Sequence, residues 1–93
     1  MTQKNHLQKL LETMRALRDP ENGCPWDRQQ TPESMYIYLV DEVYELIDAI
    51  ESGDKDNICE ELGDVMFQLL FIAVLYFESG FFDLEQLIEK NMD

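Results

Sequence analysis

Apolar residues recur along this chain at helical spacings, and no stretch alternates with the two-residue period of a strand. Leu7, Leu10, Leu11, Met14 and Leu17 form one stripe and predict a first helix. It stops before "DPENGCPWD", where Pro20, Gly23 and Pro25 break helices. Thr31 offers an N-cap and Pro32 suits a first helical turn, so a second helix is predicted from there to about Ser52, with Met35, Leu39, Leu46 and Ile50 along it. "SGDKDN" reads as a turn, with Gly53 as the stop and Asp54 as the next N-cap. A third helix runs to about Ser79 and ends at Gly80; Asp83, with Gln86 as its capping-box partner, opens a fourth that continues to the last residue. The expected fold is all-α, with four helices and the second and third paired as an antiparallel hairpin.

The third helix carries the longest apolar run, Val65 to Phe77, interrupted only by Gln68. That run is too short to span a bilayer, which needs about 20 residues. A helix apolar nearly all round is buried on most sides, and one chain of 93 residues has too few helices to cover it. A second subunit is therefore expected, in a two-fold dimer, with Phe67, Phe71, Tyr76 and Phe77 as core or dimer contacts.

Charge narrows the functional classes. Twenty acids against seven bases give a net charge of −13, which lacks the basic footprint of a nucleic-acid binder. A nucleotide ligand stays open, because a divalent cation can sit between acidic side chains and phosphates. Cys24, Cys59 and the single His6 fit no zinc-ligand spacing. The cysteines read as free packing thiols in a reducing compartment, the cytoplasm, and the N-terminus does not read as a signal peptide.

The acids are placed unevenly. "DEVYE" sets Glu42 and Glu45 three apart, and "EELGD" does the same for Glu61 and Asp64, so each helix turns one pair of acids in one direction. Glu45 is seven residues before Ser52 and Glu61 seven after Asp54, while Glu42 and Asp64 are each ten away. At 1.5 Å per residue the pairs lie level, about 10 Å and about 15 Å from the turn. If their faces point together, four carboxylates converge and repel, and Mg²⁺, which takes six oxygens, would remove the conflict. Gln68 continues the stripe and could hydrogen-bond a ligand carboxylate. Acid pairs at this spacing also occur on solvated helix faces, so the pattern alone leaves surface and metal site level. Asp41 and Asp48 are weaker candidates, the first rotated about 100° from Glu42, the second without a facing partner. A di-iron bundle is set aside for want of Glu-x-x-His pairs.

"RDPENGCPWDRQQT", "YLVDEVYELIDAI", "EELGDVMFQLLFIA" and "ESGFFDLEQL", in this order and spacing, resemble the MazG family of nucleoside triphosphate pyrophosphohydrolases from about Leu10 onward. The likeness is greatest to the first of the two domains of longer MazG proteins. It implies a four-helix, all-α NTP pyrophosphatase fold whose helix hairpin carries the metal site, and a homodimer, with a tetramer left open. It also implies Mg²⁺-dependent hydrolysis of a nucleoside triphosphate between the α and β phosphates, giving a monophosphate and pyrophosphate, with neither nucleic acid nor membrane as partner. The family's E-E-x-x-E and E-x-x-D motifs fall on Asp41, Glu42 and Glu45 and on Glu61 and Asp64. Glu42, Glu45, Glu61 and Asp64 are thus the expected metal ligands and catalytic residues.

Some positions depart from the family pattern. Asp41 is one methylene short of the family's glutamate, and Pro32 and Ile72 stand where many relatives carry histidine. Residues 1–93 are expected to be a single domain truncated at the C-terminal end, since family members continue with a basic segment that can help hold phosphates; Arg28 and Lys55 are poor substitutes. That departure keeps an alternative in play: a catalytically inert dimerisation or regulatory module that retains the cluster. A related nucleotidase for a narrower substrate, such as a deoxyuridine nucleotide, would share the same acids. Trp26 could stack on a base and Asp27 position a ligand, but a Pro-Trp corner more often packs a loop, with Asp27 as its cap. Tyr44, beside Glu45, is a weak candidate for a core or dimer contact or for a base pocket.

Overall fold

The computed structural model describes residues 6–92, and among these every regular element is a helix: α1 His6–Leu17, α2 Pro25–Gln29, α3 Pro32–Ser52, α4 Lys55–Glu78 and α5 Leu84–Glu89. Five helices thus stand where four are expected. The additional one, α2, lies inside the segment read as helix-breaking. Pro25 is its first residue, where a missing N–H costs nothing, so this proline starts a helix instead of ending one. α5 also stops at Glu89, short of the chain end. No described helix is long and apolar enough to cross a membrane.

The ends of α3 explain its length. Thr31 Oγ1 accepts from the Ser34 N–H at 3.1 Å, and Ser34 Oγ accepts from the Thr31 N–H at 3.0 Å, a reciprocal capping box ahead of Pro32. At the other end Gly53 adopts φ 75° and donates its N–H to Ala49 O and Ile50 O, both at 3.2 Å. Only glycine takes that left-handed conformation without strain. Asp54 follows at once, its Oδ1 accepting from the Asp56 N–H at 3.1 Å and opening α4. Two residues therefore separate two long helices, which forces the chain to double back. The register of the hairpin is set by this turn.

The chain divides into two compact units, one of Thr31–Ile72, the other of the described residues up to Gln30 with those from Ala73 onward. In the first, Met35, Ala49, Val65 and Phe71 are buried; in the second, Leu11, Met14, Ala73, Val74 and Leu75 are. The apolar run of α4 is thus buried from Phe71 to Leu75 apart from the partly exposed Ile72, but Met66, Phe67 and Leu69 are 52%, 44% and 51% exposed. Cys59, expected as a packing residue, is exposed, and Cys24 is half-buried.

The second unit contains a tight loop between α1 and α2. The Gly23 N–H donates to Asp19 O and the Cys24 N–H to Leu17 O, each at 2.9 Å. A Cβ on Gly23 would collide with Leu17 O and lie 2.6 Å from Asp19 O, so the loop closes only with glycine here. In the same unit the Tyr76 ring meets Phe81 edge-on at 5.1 Å and stacks on Phe82 at 5.9 Å, turning the chain from α4 into α5. The Asp83–Gln86 capping box then opens α5 as expected, with bonds of 2.8 and 2.9 Å.

Candidate metal centre

Three of the four singled-out acids meet. One carboxylate oxygen from each of Glu42, Glu45 and Glu61 lies within 4.8 Å of the others. Two come from α3 and one from α4, and of the two pairs counted level from the Gly53 turn Glu45 and Glu61 meet. Asp64 does not join this mutual set. Its side chain is exposed, and a fourth carboxylate beside three like charges gains by turning to water. It remains close enough for its charge to act on both Glu42 and Glu61.

Local sequence explains why Glu42 is half-buried. Met35, Glu42 and Ala49 are seven apart and so lie on one seam of α3, and Met35 and Ala49 are 3% and 0% exposed. Glu42 occupies a core position. Its Oε1, the Oε1 of Glu61 and the Oε1 of Gln68 are buried without a hydrogen-bond partner. Burial pushes the Glu42 carboxyl above the ordinary carboxylate range, and the charges of Glu45, Asp64 and Asp41 add to it. Burial likewise raises Glu61, with Glu45, Asp64, Glu42 and Glu60 adding repulsion.

An isolated polar oxygen in such a place is unfavourable, and three convergent glutamates are not a stabilising arrangement on their own. Their donor set is all oxygen, which suits a hard divalent cation, and orphaned oxygens are what a cation would satisfy. Glu42, Glu45 and Glu61 are the residues able to hold it.

The raised carboxyls have a measurable consequence in metal-free buffer. A carboxyl raised in the folded state holds its proton to higher pH than in the unfolded chain, so folding is favoured at low pH and that advantage is lost as pH climbs. The melting temperature is expected to fall as pH rises from the ordinary glutamate value, about 4.3, through the raised values of Glu42 and Glu61. Circular dichroism melts from pH 4 to 8 check this. The double variant Glu42→Gln/Glu61→Gln should flatten the slope; an unchanged slope would show that these carboxyls are ordinary.

Trp26 sits on α2, 49% exposed. Asp27 contributes its backbone carbonyl, which accepts from Arg18 at 2.6 Å, and the α2 N-cap, Cys24, makes no side-chain capping bond. Arg28 donates to Pro20 O and Lys55 is the first residue of α4. Tyr44 is 65% exposed on α3.

The described elements are all helices, and carboxylates from α3 and α4 converge among them. Residues 30–93 match the MazG nucleotide pyrophosphohydrolase domain, and the chain belongs to that family. It is 46% identical over 89 residues to the nucleoside triphosphate pyrophosphohydrolase of Escherichia coli K12, covering 96% of this chain and 34% of that protein. It is 48% identical over 81 residues to the nucleoside triphosphate pyrophosphohydrolase/pyrophosphatase MazG of Thermotoga maritima, covering 87% and 31%. To the Mycobacterium tuberculosis nucleoside triphosphate pyrophosphohydrolase it is 39% identical over 66 residues, covering 71% and 20%. The chain spans about a third or less of these relatives.

Proposed function

We propose that residues 1–93 are a single MazG-like domain acting in the cytoplasm as a Mg²⁺-dependent nucleoside triphosphate pyrophosphohydrolase, releasing a monophosphate and pyrophosphate. The observation that carries this reading is the approach of Glu42, Glu45 and Glu61 to within 4.8 Å in a chain of this family. Glu42, Glu45, Glu61 and Asp64 would hold the cation, which when bound neutralises phosphate charge and lowers the pKa of a water. Glu42 and Glu61 are half-buried, each with one oxygen shielded from water, and would define the position of the charge. Glu45 and Asp64 are exposed, free to adjust to substrate, and able to take a proton when not engaged as ligands. The net charge of −13 keeps free triphosphates away unless a cation accompanies them, which ties substrate entry to the metal.

A second copy of the chain completes this reading. On α3, Ile37, Val40, Tyr44 and Ile47 are 59%, 50%, 65% and 43% exposed. They form a stripe about 150° round the helix from Glu42 and Glu45. Leu62, Met66 and Leu69 form a comparable exposed stripe on α4. Apolar surface of this extent marks an association face, and two-fold pairing through it would leave the carboxylate face free. The test of function is incubation of the chain with each ribo- and deoxyribonucleoside triphosphate, with and without Mg²⁺, and separation of the products. Monophosphate and pyrophosphate formed only with Mg²⁺ are expected; phosphate release, or no product, would refute the proposed reaction for this chain.

A further inference from the structure

The stripe that carries the acids on α4 continues past them. Glu61, Asp64 and Gln68 are three and four residues apart. Gln68 therefore lies about 6 Å beyond Asp64 along the axis and about 20° round from Glu61. Among the described residues, the buried side-chain oxygens without a hydrogen-bond partner are Glu42 Oε1, Glu61 Oε1 and Gln68 Oε1. All three fall on the cluster or within about two helical turns of it. By the count from the turn that sets Asp64 level with Glu42, Gln68 is level with Tyr38 on α3, yet its oxygen accepts nothing from there. An apolar side chain would avoid the penalty of an orphaned amide oxygen, and the positions around it, from Val65 to Phe77, are apolar. What the amide oxygen lacks is a donor.

We propose that Gln68 is a positioning residue of the metal centre, its Oε1 accepting a hydrogen bond from a water of the cation's hydration shell on the side away from the Gly53 turn. This rests on the reading of the cluster as a Mg²⁺ site. Mg²⁺ sheds its waters reluctantly and keeps several of them when bound. A hydrated cation supplies both missing partners at once, positive charge for the two carboxylate oxygens and an O–H for the amide. Gln68 then fixes the orientation of the hydrated ion without touching it, as outer-shell groups do.

The test is calorimetric titration of Mg²⁺ into wild type, Gln68→Leu, Gln68→Glu and Glu45→Ala, with the metal-free melting temperature of each. Gln68→Leu is expected to weaken Mg²⁺ binding roughly 10-fold or more, with its metal-free melting temperature unchanged or raised, because an orphaned acceptor has been removed. Gln68→Glu keeps an acceptor at the same reach and should bind at least as tightly as wild type. An amide that is merely structural gives the reverse: Gln68→Leu melts lower and binds Mg²⁺ as well as wild type. Weak binding in both Gln68 variants overturns the acceptor role. If wild type binds no Mg²⁺, or binds it no better than Glu45→Ala, the metal site falls and this inference with it; if wild type binds and Gln68→Leu binds equally, only the inference falls.

Discussion

Replacing Glu45 by alanine should lower Mg²⁺-dependent hydrolysis at least roughly 100-fold, a loss that even an outer-shell partner of a metal can produce, while raising stability in metal-free buffer. The two effects have one cause. Glu45 contributes one of the three converging oxygens, so its removal would take a ligand from the proposed cation. The charge of Glu45 also acts more strongly than any other on both Glu42 and Glu61, so its removal relieves both half-buried carboxyls. Glu45 is exposed on α3, and alanine leaves no cavity there while favouring the helix slightly more. Relief of like-charge repulsion and the propensity gain act in the same direction, towards a higher melting temperature. Turnover with Mg²⁺ added and thermal melts in metal-free buffer, on the same preparations, check both signs. A variant that hydrolyses triphosphates at the wild-type rate would remove Glu45 from the site, and one that melts lower would mean that the three acids do not repel.

Much of this arrangement was legible because it depends on counting. Two helices joined by a two-residue turn at Gly53 and Asp54 have a register, and equal distances from that turn bring Glu45 beside Glu61. Capping residues were equally readable: Thr31 and Asp83 bond where their spacing to Ser34 and Gln86 allows. What was not legible depends on context outside the local pattern. Pro25 has the same sequence appearance whether it ends or begins a helix. Asp64 has the spacing of a ligand, yet it is exposed and lies outside the set of three converging oxygens. The apolar run of α4 gives no sign of where burial stops within this chain; Phe71 is buried while Phe67, four residues earlier, is 44% exposed.

Arg18 left no signal in the sequence at all, yet its replacement should be among the most damaging to stability. Its Nη1 donates to Asp27 O at 2.6 Å and to Arg28 O and Gln30 O at 3.0 Å, the carbonyls that close α2. Its Nε and Nη2 face the Glu78 carboxylate at 3.0 and 2.8 Å. One guanidinium thus ties the end of α2 to the end of α4, both within one compact unit. The Glu78 hydrogen bond is the main influence raising the Arg18 pKa further, so the group is charged at every working pH. The two halves of this contact differ in value. The Arg18 side chain is 15% exposed and that of Glu78 is 35%, so the ion pair itself is screened, and Glu78→Ala should cost about 1 kcal/mol or less. Arg18→Ala also strips a charged donor from three carbonyls, two of them partly buried; hydrogen bonds to charged groups are individually stronger, and the expected loss is about 3 kcal/mol. For a chain of 93 residues that is roughly a 10–20 °C drop in melting temperature. Arg18→Lys should recover little of it, because an ammonium cannot reach the carbonyls and the carboxylate in one plane. Denaturant titration of the three variants decides the matter: equal losses in Glu78→Ala and Arg18→Ala would place the energy in the ion pair and refute the carbonyl account.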